Sequence, residues 1–151
     1  PGPDPQGPLQ WNLLPEPGGS PDTLAWLNLG VAGELAPLDT RVYDGVGLVY
    51  PVAAHATGLP NGRIGHDKDL PAPWYVADAP AVDVGNFVAT DQLAAASKAL
   101  ACPATAEMLD SVRAPLTADR FWHNLIGAWD RTSYRYDRDP TVAATCAVAP
   151  S

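Results

Sequence analysis

Seven prolines fall within the first twenty-one positions, and no lysine or arginine occurs before Arg41. Each proline lacks an amide N–H and drives the residue before it towards extended geometry, so residues 1–19 suit neither a helix nor an inner strand. Their default is polyproline II or coil. Trp11, Leu13 and Leu14 form an apolar cluster inside this otherwise polar stretch. A segment of that kind reads as an arm that lies on something else, either its own domain or a partner. The chain then divides into an extended Pro/Gly-rich arm over 1–19 and a single globular domain over 20–151, long enough to bury a real core.

Composition narrows the function classes. A net charge of −8 with a pI near 4.5 argues against nucleic acid and against anionic membrane surfaces, because both need clustered Lys and Arg. No apolar run approaches the roughly 18 residues needed to span a bilayer, so membrane insertion is not expected. The charged set is lopsided, with fourteen Asp against three Glu and seven Arg against two Lys. That bias reads as high-GC coding, as in actinobacteria or their phages. Pro1 is expected to follow either a trimmed Met or a removed signal peptide.

Cys102 and Cys146 lack CxxC spacing and a histidine at ligand spacing, which disfavours zinc. In an oxidising compartment they form a disulfide; in a reducing one they are two small buried thiols.

Beyond the arm, Ser20 and Pro21 suit the start of a short helix running to about Leu29. Residues 40–53 have strand composition, with Asp44-Gly45 as a bulge or tight turn. Residues 54–73 carry Asn61-Gly62 and read as a long loop. Further strands are expected at 74–77 and 81–89. The C-terminal half reads as helical. Thr90 is expected to cap one helix with Leu93, Ala96 and Leu100 as its stripe, and Pro103 to open a second holding Met108, Leu109 and Val112. Thr117 is expected to cap a third, on which Phe121, Trp122, Leu125, Ile126 and Trp129 repeat as one broad apolar face. The expected fold is α+β: a small antiparallel sheet of about three to four strands packed against the C-terminal helices.

Candidate chemistry is sparse. His66, Asp67 and Asp69 in the long loop form a weak metal or general-base candidate, set against the plainer reading of a solvated turn. No G-x-S-x-G, Walker, dinucleotide or HExxH pattern occurs, so no catalytic residue and no cofactor is assigned. Tyr134, Arg135 and Tyr136 read as a protein-contact strand, since Tyr and Arg are favoured at interfaces. Together with Trp11, Leu13 and Leu14 they would form the partner surface. The function expected on these grounds is a non-enzymatic assembly protein docking onto protein subunits, as a virion decoration or minor structural subunit or in a secreted complex. It would be located in a virion or outside the cell. The alternatives are a small secreted enzyme or ligand binder with its site in the 54–73 loop, and a cytoplasmic adaptor with free thiols.

Overall fold

The computed structural model describes residues 23–25, 41–63, 65–79 and 88–149. Its strand pairing among these residues is a parallel ladder of β1 (Thr23–Ala25) with β2 (Arg41–Tyr43), in which Leu24 faces Val42. The rest of the described regular structure is helical. The expected antiparallel sheet of three to four strands is therefore wrong, and so is the helix expected across residues 23–25.

The reason lies just after Tyr43. Asp44, fully buried, accepts the backbone N–H groups of Leu48, Val49 and Tyr50, each at 2.8 Å. Those are the donors that a strand through 48–50 would need for a ladder. The chain turns instead, with Gly47 N–H donating to Asp44 O at 3.4 Å and Gly47 at φ 78°, where a side chain would be strained. Pro51 then opens α1 (Pro51–His55) with its preset φ. The segment 74–77, also expected as a strand, lies in α2 (Ala72–Asp78), because Pro73 sits in the first turn and Trp74 and Tyr75 turn together into the core. Most of the 81–89 strand candidate, like the arm with Trp11, Leu13 and Leu14, lies outside the described residues.

α3 (Thr90–Leu100) packs between α2 and α7 (Pro140–Ala143), burying Ala96 and Ala99, whose small side chains allow close approach. Its N-cap is Ala89 rather than Thr90, and no side chain caps it. α4 (Pro103–Arg113) buries Thr105, Met108 and Leu109 and leaves Val112 exposed. Thr117 caps α5 (Ala118–Ile126) by accepting the Arg120 N–H at 3.1 Å, and α6 (Ala128–Ser133) follows through Gly127. A disulfide joins Cys102, at the N-cap of α4, to Cys146 beyond α7, with Cα atoms 5.4 Å apart.

The core is aromatic at one end. Tyr43 meets Tyr50 edge-on at 4.7 Å between ring centres, and Tyr50 stacks on Tyr75 at 5.7 Å. Trp74, fully buried, lies 5.1 Å from the Tyr136 ring and donates its indole N–H to Arg138 O at 2.8 Å. Tyr136 is threaded beside α1, its N–H donating to His55 O at 3.1 Å and its O accepting the Thr57 N–H at 2.9 Å, while its hydroxyl donates to Val52 O.

Candidate functional site

A groove of about 410 Å³ opens between the Asp44 turn and α4, lined by Val42, Tyr43, Val49, Tyr50, His55 and Arg113 among others. Its walls are fixed by two carboxylates. Asp44 holds the turn and thereby presents Leu48 and Val49, 65 % and 57 % exposed, at the rim. Asp78, at the end of α2, accepts the Tyr50 hydroxyl at 3.0 Å and both Arg113 terminal nitrogens at 2.7 Å each, and its backbone O accepts the Tyr43 hydroxyl at 3.2 Å. Such a bidentate pair fixes the guanidinium in direction as well as place. Burial disfavours the Arg113 charge, but the hydrogen bonds and charge of Asp78 outweigh it and raise the Arg113 pKa. Burial, reinforced by the Asp78 charge, pushes the Tyr50 phenol far above its ordinary value, so it stays neutral and donates.

A smaller hollow of about 270 Å³ shares His55 and Val112 with the groove and continues it past Ser111, Asn124 and Arg131. Asn124 donates from Nδ2 to Ser111 O at 2.8 Å, while its buried Oδ1 has no hydrogen-bond partner among the described residues. A buried acceptor without a donor is unfavourable unless a ligand or water completes it.

His55 sits where the two hollows meet. Its Nδ1 lies 2.9 Å from Tyr134 O; a carbonyl only accepts, so Nδ1 carries the hydrogen and Nε2 is left as an acceptor. Burial lowers the His55 pKa below its ordinary 6.5; the Tyr134 bond opposes this, and the charges of Arg135 and Lys68 reinforce it. The unfolded histidine then takes up a proton at a higher pH than the folded one. Its contribution to stability is complete above about pH 6.5 and is lost as the pH falls from there towards the lowered folded value. An NMR titration of the His55 ring should give a midpoint below 6.5. A midpoint at or above 6.5 would show that the ring is not desolvated.

The residues singled out from sequence lie elsewhere. His66 N–H donates to Arg63 O at 2.7 Å, Asp67 O accepts the Leu59 N–H at 2.7 Å, and Asp69 meets Arg138. These contacts hold a compact loop, and no group of three or more potential metal ligands occurs among the described residues. Tyr136 is buried in the core, and the Tyr134 hydroxyl pairs with Thr105 at 2.7 Å. Arg135 bonds the carbonyls of Thr132 and Tyr134 at 2.9 and 2.7 Å.

The family model of the AftB family C-terminal domain matches residues 6–142. The chain belongs to that family. Within it, the chain is similar to the terminal β-(1→2)-arabinofuranosyltransferase of Mycobacterium tuberculosis, 40 % identical over 148 residues, covering 87 % of this chain and 24 % of the relative. It is also similar to the enzyme of the same name from Corynebacterium glutamicum, 34 % identical over 105 residues, covering 68 % of this chain and 15 % of the relative. The chain thus spans about a quarter or less of the length of these relatives. No solved structure matches it.

This AftB-family membership overturns the assembly reading. The relatives are bacterial glycosyltransferases, so the virion function, the protein-subunit partners and the virion or extracellular location expected from the arm are all withdrawn. Among the described residues no helix is long and apolar enough to cross a membrane.

Proposed function

We propose that this chain is the C-terminal domain of a bacterial enzyme that transfers arabinofuranose in β-(1→2) linkage, and that its groove holds the glycan acceptor. In such a transfer an acceptor hydroxyl oxygen bonds to the donor's anomeric carbon, the donor's leaving group departs, and the hydroxyl proton is lost. The domain's part is positioning, with the donor site in the remainder of the enzyme. The observation that carries the reading is one continuous hollow whose two parts meet at His55, with Nε2 left as an acceptor, and which is lined by Arg113 in one part and by Asn124 in the other. Val42, Val49 and Val112 supply apolar surface for sugar C–H faces between them. Alternating polar and apolar contacts of this kind suit a furanose, whose hydroxyls project from a five-membered ring of four carbons and one oxygen. The Cys102–Cys146 bond supports a location beyond the reducing cytoplasm, in the bacterial envelope.

Holding the acceptor without touching the reacting bond affects KM rather than kcat. In the intact enzyme, His55→Ala and Val112→Asp are each expected to raise the acceptor KM by about three- to tenfold, the loss of roughly one hydrogen bond or one apolar contact, with kcat within about twofold. A lowered kcat at unchanged KM would place the groove outside acceptor binding.

A further inference from the structure

α5 and α6 are packed against the domain by their polar side. Arg120 pairs with Asp110 at 2.6 Å, His123 lies 3.3 Å from Glu107, Asn124 bonds Ser111 O, and Arg131 pairs with Glu107 while donating to His123 O and Asn124 O at 3.0 and 2.8 Å. The opposite side carries Phe121, Trp122, Leu125, Ile126 and Trp129, which are 49 %, 58 %, 57 %, 81 % and 84 % exposed. An amphipathic helix ordinarily turns its apolar stripe inward. Here the polar anchors forbid the roll that would do so, and a contiguous aromatic face is held outward, which marks a contact surface.

We infer that this face is covered by the chain's own N-terminal segment, residues 5–15. Those residues lie outside the described structure, and their sequence is complementary to the face. They contain no charge, and they place Leu9, Trp11 and Leu13 at alternate positions between Pro8 and Pro15. Alternate residues of an extended chain project to one side. Extended proline-rich segments dock on aromatic-lined surfaces because little backbone freedom remains to be lost. Pro15 is eight residues from β1, a reach of about 26 Å, so the segment can cross much of a domain this size. A tether that short also gives a millimolar effective concentration, enough for a modest patch to stay occupied.

A bilayer and a second copy fit less well. Asp119 and Asp130 flank the face and the chain carries −8 overall, which opposes an anionic bilayer. A second copy across a two-fold axis would set those carboxylates against their own images.

The test is paramagnetic relaxation in the whole chain, with a nitroxide on Asn12→Cys; both native cysteines are already bonded, so the label is unique. The indole N–H signals of Trp122 and Trp129 should be broadened independently of protein concentration. A Trp122→Ser/Trp129→Ser variant, altered only at exposed positions, should remain folded, and in it the Trp11 indole signal should move to its free-peptide position. The inference is overturned if the two indoles are unaffected by the label, if broadening grows with protein concentration, which indicates a second copy, or if Trp122 and Trp129 respond only to added phosphatidylglycerol or phosphatidylcholine vesicles, which indicates lipid.

Discussion

Asp44→Ala is expected to destabilise the domain by about 3–5 kcal/mol, because three backbone N–H groups lose a charged acceptor at once and each orphaned donor costs about 1–3 kcal/mol where water cannot replace it. The Tyr50 N–H is buried outright, and the Asp44 side chain has no exposure. The damage should spread, because the turn closed by Asp44 leads directly into Tyr50 and α1, and so sets one wall of the groove. Domains of this size are stable by only about 5–15 kcal/mol, so the variant should be close to unfolding at 37 °C. Asp44→Asn keeps an oxygen acceptor and should recover part of the loss. Urea unfolding followed by far-UV circular dichroism measures both. A loss below about 1 kcal/mol for Asp44→Ala would mean that the turn does not depend on its carboxylate.

Removing the disulfide by Cys102→Ser/Cys146→Ser should lower stability by about 4 kcal/mol in the chain-entropy model for a closed loop of this length. The sequence separation is 44, and the bond ties the start of α4 to the residues following α7, which packs on α3. Cys146 also has φ 61°, a conformation that disfavours residues with a Cβ. Once the bond is gone, nothing covalent imposes that backbone. Cys102→Ser/Cys146→Gly should therefore be more stable than the double serine variant by about 1 kcal/mol. Thermal unfolding of the two variants beside the oxidised parent gives both differences, and equal melting points for all three would refute the role assigned to the bond.

What could be read from the sequence was local. Pro103 at a helix start and Thr117 as a cap follow from short-range rules, and the structure has them; of the three apolar residues expected on the Pro103 helix, Met108 and Leu109 are buried and Val112 is exposed. The failures involve partners far apart in sequence. Tyr43 and Trp74 sit in segments of strand-like composition, yet the ladder ends at Tyr43 because Asp44 captures the following amides, and Trp74 is helical because Pro73 and the Tyr136 ring favour that placement. The apolar stripe of α5 was visible, but its direction was not, since that depends on Glu107, Asp110 and Ser111 in α4. His55 carried no signal at all. Its place between two hollows, with Nδ1 tied to Tyr134, arises from a contact across 79 positions. The arm's composition points to a partner subunit, whereas the match to the AftB family C-terminal domain begins at residue 6 and so includes Trp11, Leu13 and Leu14.

The proposed function requires the hollow around His55 to bind a glycan acceptor, for which an arabinofuranose oligosaccharide is the simplest probe. Its most direct test is an NMR titration of the isotope-labelled chain with a short arabinofuranose oligosaccharide. Saturable shifts are expected at Val49, His55, Val112 and Asn124, weakened in His55→Ala. Shifts that leave these four residues untouched, or none at millimolar sugar, would contradict it.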